Sequence, residues 1–236
     1  MHEIAKEIRH CTQRCFVDRY ESTDYRGRHW SAARIAQGTP LVWSPDGPRV
    51  VLVSQAPSLQ AWLNGIDNPS PCGGLVSQSN EFLVDDLLPA LGLSARDIDV
   101  FRDNVFWIHT CNCYPWFRRY DVRQDRKPTQ GEAQQCLGRW CQRVTSIPSV
   151  KGLVLMGDAS TYVFPKVNPD RVKFTDLVRR LQVRTDVVEG VETLPIYHQS
   201  RKSRIFNNPT DQAANERLRL LLAAKFREWI RGHRDP

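Results

Sequence analysis

The chain has 236 residues, enough for one α/β domain with a substantial buried core. Its 33 lysines and arginines outnumber 26 acidic residues, giving a formal charge of +7 that favours nucleic acid or another anionic surface as partner. No apolar run approaches the roughly 18 residues of a membrane span, and the opening MHEIAKEIRHC lacks the apolar stretch of a signal peptide. The expected location is therefore the cytoplasm, where the seven cysteines read as thiols or metal ligands before disulfides.

In chain order, an N-terminal helix is expected over about 2–18, followed by an irregular extension over 20–48 rich in Arg, Gly, Ser, Pro and Tyr. RVVLVSQ (49–55) is the first apolar strand and leaves into the polar turn Gln55-Ala56-Pro57-Ser58. Residues 80–91, NEFLVDDLLPAL, set Phe82, Leu83, Leu87, Leu88 and Leu91 along one helical face, with Asn80 placed to cap it. NVFWIHT (104–110) is the second strand. A helix over 130–145 follows Thr129, with Glu132 at capping-box spacing. GLVLMG (152–157) and TLPIYH (193–198) complete four strands, and an amphipathic helix over 209–231 opens on Pro209 and Thr210.

Strands alternating with helices predict a three-layer α/β/α sandwich around a central four-stranded parallel sheet. The organisation expected is one domain over 1–236. Residues 1–48 form an N-terminal helix and extension, 49–206 the core, and 207–236 the C-terminal helix. Ligands of such folds bind beyond the carboxyl ends of the strands, which directs attention to 55–58, 109–116, 157–160 and 198–206.

Two of these regions are strongly basic. After the second strand, Tyr114, Trp116, Phe117 and Tyr120 alternate with Arg118, Arg119, Arg123, Arg126 and Lys127. Cations serve phosphates and aromatic rings serve unpaired bases, although a solvated basic loop is the simpler alternative. After the fourth strand, His198, Gln199 and Ser200 run into Arg201, Lys202 and Arg204, with Ile205 and Phe206 beyond. A histidine beside three cations suits chemistry on a polyanion. The glycine-containing stretch CGGLVSQSNEFL (72–83) can approach a phosphate or base edge closely, or can serve as a plain connection.

Taken in order, these pieces resemble the uracil-DNA glycosylase superfamily, particularly its iron–sulfur family 4 and family 5 branches. Ser54-Gln55-Ala56-Pro57-Ser58 stands in place of that family's Gly-Glu-Ala-Pro-Gly, and Leu75-Val76-Ser77-Gln78-Ser79-Asn80 loosely matches Phe-Val-Gly-x-x-Gly. Asn112-Cys113-Tyr114-Pro115 with Arg126-Lys127-Pro128-Thr129 matches Lys-Cys-x-Pro-Pro with Arg-Lys-Pro-Thr. Met156-Gly157-Asp158-Ala159 corresponds to Leu-Gly-x-x-Ala with one residue fewer before the alanine, and His198-Gln199-Ser200 corresponds to His-Pro-Ser.

The resemblance implies a monomeric DNA glycosylase that flips a nucleotide and hydrolyses its glycosidic bond. It assigns His198 to the departing base and Gln55 to the attacking water. Ala56, Leu75, Ser77, His109 and Asn112 would line the base pocket. Arg118, Arg119, Arg123, Arg201, Lys202 and Arg204 would meet phosphates, with Ile205 or Phe206 as the wedge filling the flipped nucleotide's place. It also implies a [4Fe–4S] cluster on Cys11, Cys15, Cys113 and Cys136, with a structural Zn²⁺ or free thiols as alternatives. Cys72, Cys111 and Cys141 then remain free thiols.

Three departures fall on the chemistry. Gln55 replaces the motif's carboxylate, so it can orient water but cannot act as a base. His109 stands where the uracil-reading asparagine is expected, and Leu75 where a stacking aromatic is expected. Together they suggest a pocket remodelled for another altered pyrimidine, extending to the hypermodified bases of phage DNA. An inactive module that binds lesions or modified DNA is the alternative. The N-terminal Cys-x3-Cys also departs from the family's Cys-x2-Cys.

Overall fold

The computed structural model describes residues 2–9, 11, 22–23, 29–30, 45–55, 82–112, 128–199 and 208–231. Five strands form its main sheet: β1 (Val50–Ser54), β2 (Val105–His109), β3 (Gly152–Met156), β4 (Arg184–Val188) and β5 (Val191–Ile196). Their spatial order is β2-β1-β3-β5-β4. The first four in that order run parallel, as the apolar segments predict, and β4 pairs antiparallel with β5 at the edge. The expected four-stranded sheet thus gains a fifth strand. Its sequence RTDVV has no fully buried residue, with only Val187 and Val188 packing against the core, so it carries no signature of a buried strand. A separate two-residue antiparallel pairing joins Ser22–Thr23 to His29–Trp30.

Every residue of β1, β2 and β3 is buried, which explains their continuous apolar runs. Alternation along each strand sends side chains to opposite faces, and each face has its own core. Val51, Val53, Phe106, Ile108, Leu153 and Leu155 pack with α1 (Glu3–Arg9) and α4 (Gln130–Thr145). Val50, Leu52, Val105, Trp107, Val154 and Leu194 pack with Phe101 of α3 (Ile98–Asn104) and with α6 (Pro209–Arg231). A short helix, α5 (Phe174–Arg179), contributes Leu177 to one core and Val178 to the other. The result is the three-layer sandwich expected from the sequence.

Helix ends follow their capping chemistry. Thr129 accepts from the Glu132 backbone N–H while the Glu132 carboxylate accepts from that of Thr129, the predicted capping box. At α6, the Asn208 side chain caps the helix by accepting from the Thr210 N–H at 3.0 Å. α1 is described over Glu3–Arg9, with the Cys11 N–H turning back onto the Ile8 carbonyl, and the rest of the span expected to residue 18 lies outside the described residues. The segment expected as one regular helix over 80–91 instead begins with a π-helical turn, Phe82–Leu87, and continues into α2 (Leu88–Ala90). Leu83, Leu87, Leu88 and Leu91 enter the core, while Phe82 sits at its margin. The capping position assigned to Asn80 lies outside the described residues.

α6 is tied to the sheet at the Glu192 carboxylate, which accepts from Lys225 at 2.9 Å and from the Trp229 indole at 2.7 Å. This lays the Trp229 ring across Gly152, where a Cβ would fall inside the ring's van der Waals surface. Gly152→Ala should therefore cost about 1–3 kcal/mol through overpacking. Gly138→Ala on α4 meets nothing within 4 Å and should stabilise by about 0.5–1 kcal/mol. Urea unfolding of both variants checks this pair of opposite signs.

Strand order locates the binding crevice. The connection from β1 runs outward to β2, whereas that from β3 runs the other way to β5. β1 and β3 are neighbours, so the sheet has its switch point between their carboxyl ends. Ser54 and Gln55 lie at one end. At the other, Gly157 has φ 82, a left-handed conformation that favours glycine, and releases the chain into a 3₁₀ turn at Asp158–Thr161.

Candidate active site

The crevice is built from the last residues of β1, β2 and β5 together with the π-helical turn. Ser54 and His109 are register partners on the parallel strands β1 and β2. Their side chains meet, with Ser54 Oγ 2.6 Å from His109 Nδ1. Two residues earlier on β2, and therefore on the same face, Trp107 donates its indole N–H to the same Oγ at 2.8 Å. The Ser54 carbonyl accepts from both the backbone N–H and the hydroxyl of Thr110, at 2.6 and 2.9 Å. These bonds hold the β1 and β2 ends as one unit.

Asn112 secures the turn after β2. Its Oδ1 accepts the His109 backbone N–H at 3.0 Å, while its Nδ2 lies 3.7 Å from Cys136 Sγ. Gln55 follows β1, is half-buried, and accepts the Cys111 N–H on its backbone carbonyl at 3.2 Å.

His198 reaches the same place from β5. Its neighbours Tyr197 and Gln199 are buried and bound elsewhere. The Gln199 amide donates to Asn215 Oδ1 on α6 at 3.0 Å, and the Tyr197 hydroxyl donates to Asp211 Oδ1 at 3.3 Å. Asp211 itself is held by Arg179 at 2.7 Å. With both flanking residues anchored to α6, the half-buried His198 ring stacks on Phe82 at 5.2 Å between centroids and 23° between planes. Phe82 leans on Trp107 at 6.2 Å, and Trp107 on His109 at 6.1 Å, so aromatic surface joins the two histidines.

Both imidazoles are uncharged. Burial drives His109 down to about 3, and the nearby His198 adds to the shift. Burial likewise lowers His198 to about 4, partly opposed by the negative charge of Asp86 on the π-helical turn. The ordinary value is 6.5, so between that pH and the folded values the unfolded chain takes up protons that the folded chain refuses. Their contribution to stability is complete above about pH 6.5 and lost as pH falls toward about 4 and then about 3. The urea midpoint should fall from about pH 7 to about pH 5, and His109→Asn should flatten that slope. An unchanged slope in the variant would contradict the neutral, buried assignment of His109.

A family model described as the uracil DNA glycosylase superfamily matches residues 41–222. The chain belongs to the uracil DNA glycosylase superfamily. Members of this superfamily are generally DNA glycosylases, hydrolases that act on DNA, and share the three-layer α/β/α fold. No curated protein matches the chain.

Within this superfamily chain the structure brings together Gln55, His109, Asn112 and His198 from the set selected in the sequence. Ala56, Leu75, Ser77, Arg118, Arg119, Arg123, Arg201, Lys202, Arg204, Ile205 and Phe206 lie outside the described residues, as do Cys15, Cys72 and Cys113. Sequence reasoning missed Ser54, Phe82, Asp86 and Trp107. Ser54 was findable, because aligning the two apolar runs in parallel register sets it opposite His109. Phe82 and Asp86 were masked by an expected regular helix. A π-helical turn, with more residues per turn, is a feature often found at functional sites.

Of the four cysteines that the resemblance assigns to a cluster, Cys11 and Cys136 are among the described residues. Cys136 Sγ accepts the Asn112 backbone N–H at 3.3 Å, which brings the residue preceding Cys113 against α4. Arg139, three residues after Cys136 and adjacent on the helix, directs Nη1 to Cys11 Sγ at 3.8 Å, placing Cys11 on the same flank. Cys111 is buried, Cys141 is half-buried, and neither forms a disulfide. Among the described residues no three His, Cys, Asp or Glu side chains converge on a metal position. No helix among them is long and apolar enough to cross a membrane.

Proposed function

We propose that the chain is a monofunctional DNA glycosylase of the family 4/family 5 type that flips and excises a non-standard pyrimidine. Uracil, other altered pyrimidines and the hypermodified bases of phage DNA form the substrate class, and the product is an abasic site. The observation that carries this reading is the convergence of two uncharged histidines, His109 and His198, at the switch-point end of a superfamily sheet. An uncharged imidazole can donate an N–H to a base without bringing a proton that must first be removed.

In this reading water adds to the sugar C1′ and leaves a hydroxyl there, the glycosidic electron pair leaves on the base, and the proton surrendered by water ends on the anionic base. Gln55 orients that water by hydrogen bonding, and His198 donates to the base as negative charge develops on it. His109 reads the base edge. Asn112 supports it by bonding to its backbone. Ala56, Leu75 and Ser77 line the pocket, while Arg118, Arg119, Arg123, Arg201, Lys202 and Arg204 bind phosphates around the wedge Ile205 or Phe206. Cys11, Cys15, Cys113 and Cys136 would hold a [4Fe–4S] cluster, whose contribution is to bind the N-terminal segment and the loop after β2 to α4.

Gln55 in place of a carboxylate favours a second reading, a binding module that recognises altered DNA without cleaving it. Duplexes carrying uracil, hypoxanthine or modified cytosines, incubated with the protein and treated with alkali, separate the two. Breaks at one base support the enzyme. Tight, salt-dependent binding with no break at any base supports the module.

A further inference from the structure

The bonds around Ser54 determine where the proton of His109 sits. The Trp107 indole N–H can only donate, so at 2.8 Å it fills an acceptor position on Ser54 Oγ. The remaining short contact of that oxygen is His109 Nδ1 at 2.6 Å. Among the described residues the hydroxyl has no other acceptor for its own hydrogen. It therefore donates to Nδ1, which must be the unprotonated nitrogen, and the ring hydrogen lies on Nε2. The opposite tautomer would direct two donors at Ser54 Oγ, leave the hydroxyl hydrogen unused, and leave the Nε2 lone pair empty. That is two unsatisfied buried groups where the first arrangement has one.

The one that remains is informative. His109 is 2% exposed, and its Nε2 has no hydrogen-bond partner among the described residues. Buried polar atoms are rarely left so unless another molecule completes them. We infer that the Trp107–Ser54–His109 chain presents Nε2–H as a fixed donor to the flipped base, where it meets a carbonyl oxygen or unprotonated ring nitrogen of the pyrimidine edge. The recognition half of this inference rests on the glycosylase reading; the tautomer does not. An asparagine at this position offers both a donor and an acceptor, whereas this imidazole offers a donor alone. Ser54, which stands where the resembled motif has glycine, and His109 thus act as one device, with Ser54 and Trp107 as positioning residues.

Nitrogen-15 labelling of the histidines tests the tautomer in the free protein. Long-range proton–nitrogen correlation should show His109 Nε2 protonated and Nδ1 unprotonated at neutral pH. Ser54→Ala should mix the two tautomers while the other histidine signals stay in place. A protonated Nδ1 in the wild type, or an unchanged single tautomer in Ser54→Ala, would overturn the inference. Recognition is tested with duplexes carrying uncleavable 2′-fluoro uridine or 2′-fluoro cytidine, and with a non-hydrogen-bonding difluorotoluene isostere. At least one pyrimidine should shift the Nε2–H resonance downfield, and the isostere should not. Failure of both pyrimidines, or an equal shift with the isostere, would overturn it. Release of a base by a protein with the wrong tautomer would sink this inference alone. The predicted tautomer in a protein that binds DNA without releasing any base would sink the glycosylase reading alone.

Discussion

His198→Ala is expected to slow single-turnover base release by about 10²–10³, the usual effect of removing one donor to a developing anion. DNA affinity should change little, because the phosphate contacts are assigned to other residues. The size of the effect follows from the environment of the ring. Burial lowers its pKa to about 4, so at neutral pH the ring is uncharged and would meet a departing base as an N–H donor. Tyr197 and Gln199 fix the chain on either side through Asp211 and Asn215, and Phe82 supports the ring face. Little reorganisation is then needed as charge develops on the base. Quenched single-turnover assays beside equilibrium binding measure the two quantities separately. Equal rates for the variant and the wild type would remove His198 from the chemistry. Loss of binding and rate together would make it a DNA contact.

The second large effect concerns the cysteines. Anaerobically purified protein should be brown, with broad absorption near roughly 400 nm from a thiolate-bound iron–sulfur centre. Cys136→Ala or Cys113→Ala should lose both iron and colour, because each removes one of four ligands. Cys141 provides the contrast. Burial pushes its thiol up to about 12, so it stays protonated and unsuited to a metal, and Cys141→Ser should keep the colour. The Asn112 N–H bonds to Cys136 Sγ while the same asparagine holds the His109 backbone, so a cluster on Cys136 would be joined to the pocket through Asn112. Loss of the cluster should therefore lower base release even with DNA bound. Stoichiometric zinc with no iron would contradict the cluster assignment.

Much of the architecture was legible because buried parallel strands write themselves as uninterrupted apolar runs. Val50–Ser54, Val105–His109 and Gly152–Met156 were located within a residue or two. The Thr129–Glu132 capping box fixed the start of α4 for an equally local reason. Edge strand β4 escaped because Arg184, Thr185 and Asp186 bury too little to leave a pattern. The π-helical turn escaped because its leucines satisfy ordinary helical spacing, and only its unusual turn sets Phe82 beside His198. His109 was recognisable as a departure from the family motif. Its state was not, since that depends on Ser54 and Trp107, which reach it through strand register.

Hydrolysis of a glycosidic bond is measured most directly by mass spectrometry of both products from an enzyme-excess reaction on the duplex panel. One altered pyrimidine should be released intact, together with an abasic strand that stays unbroken until alkali is added. Saturating occupancy of every duplex, with no free base and no abasic strand, would contradict it.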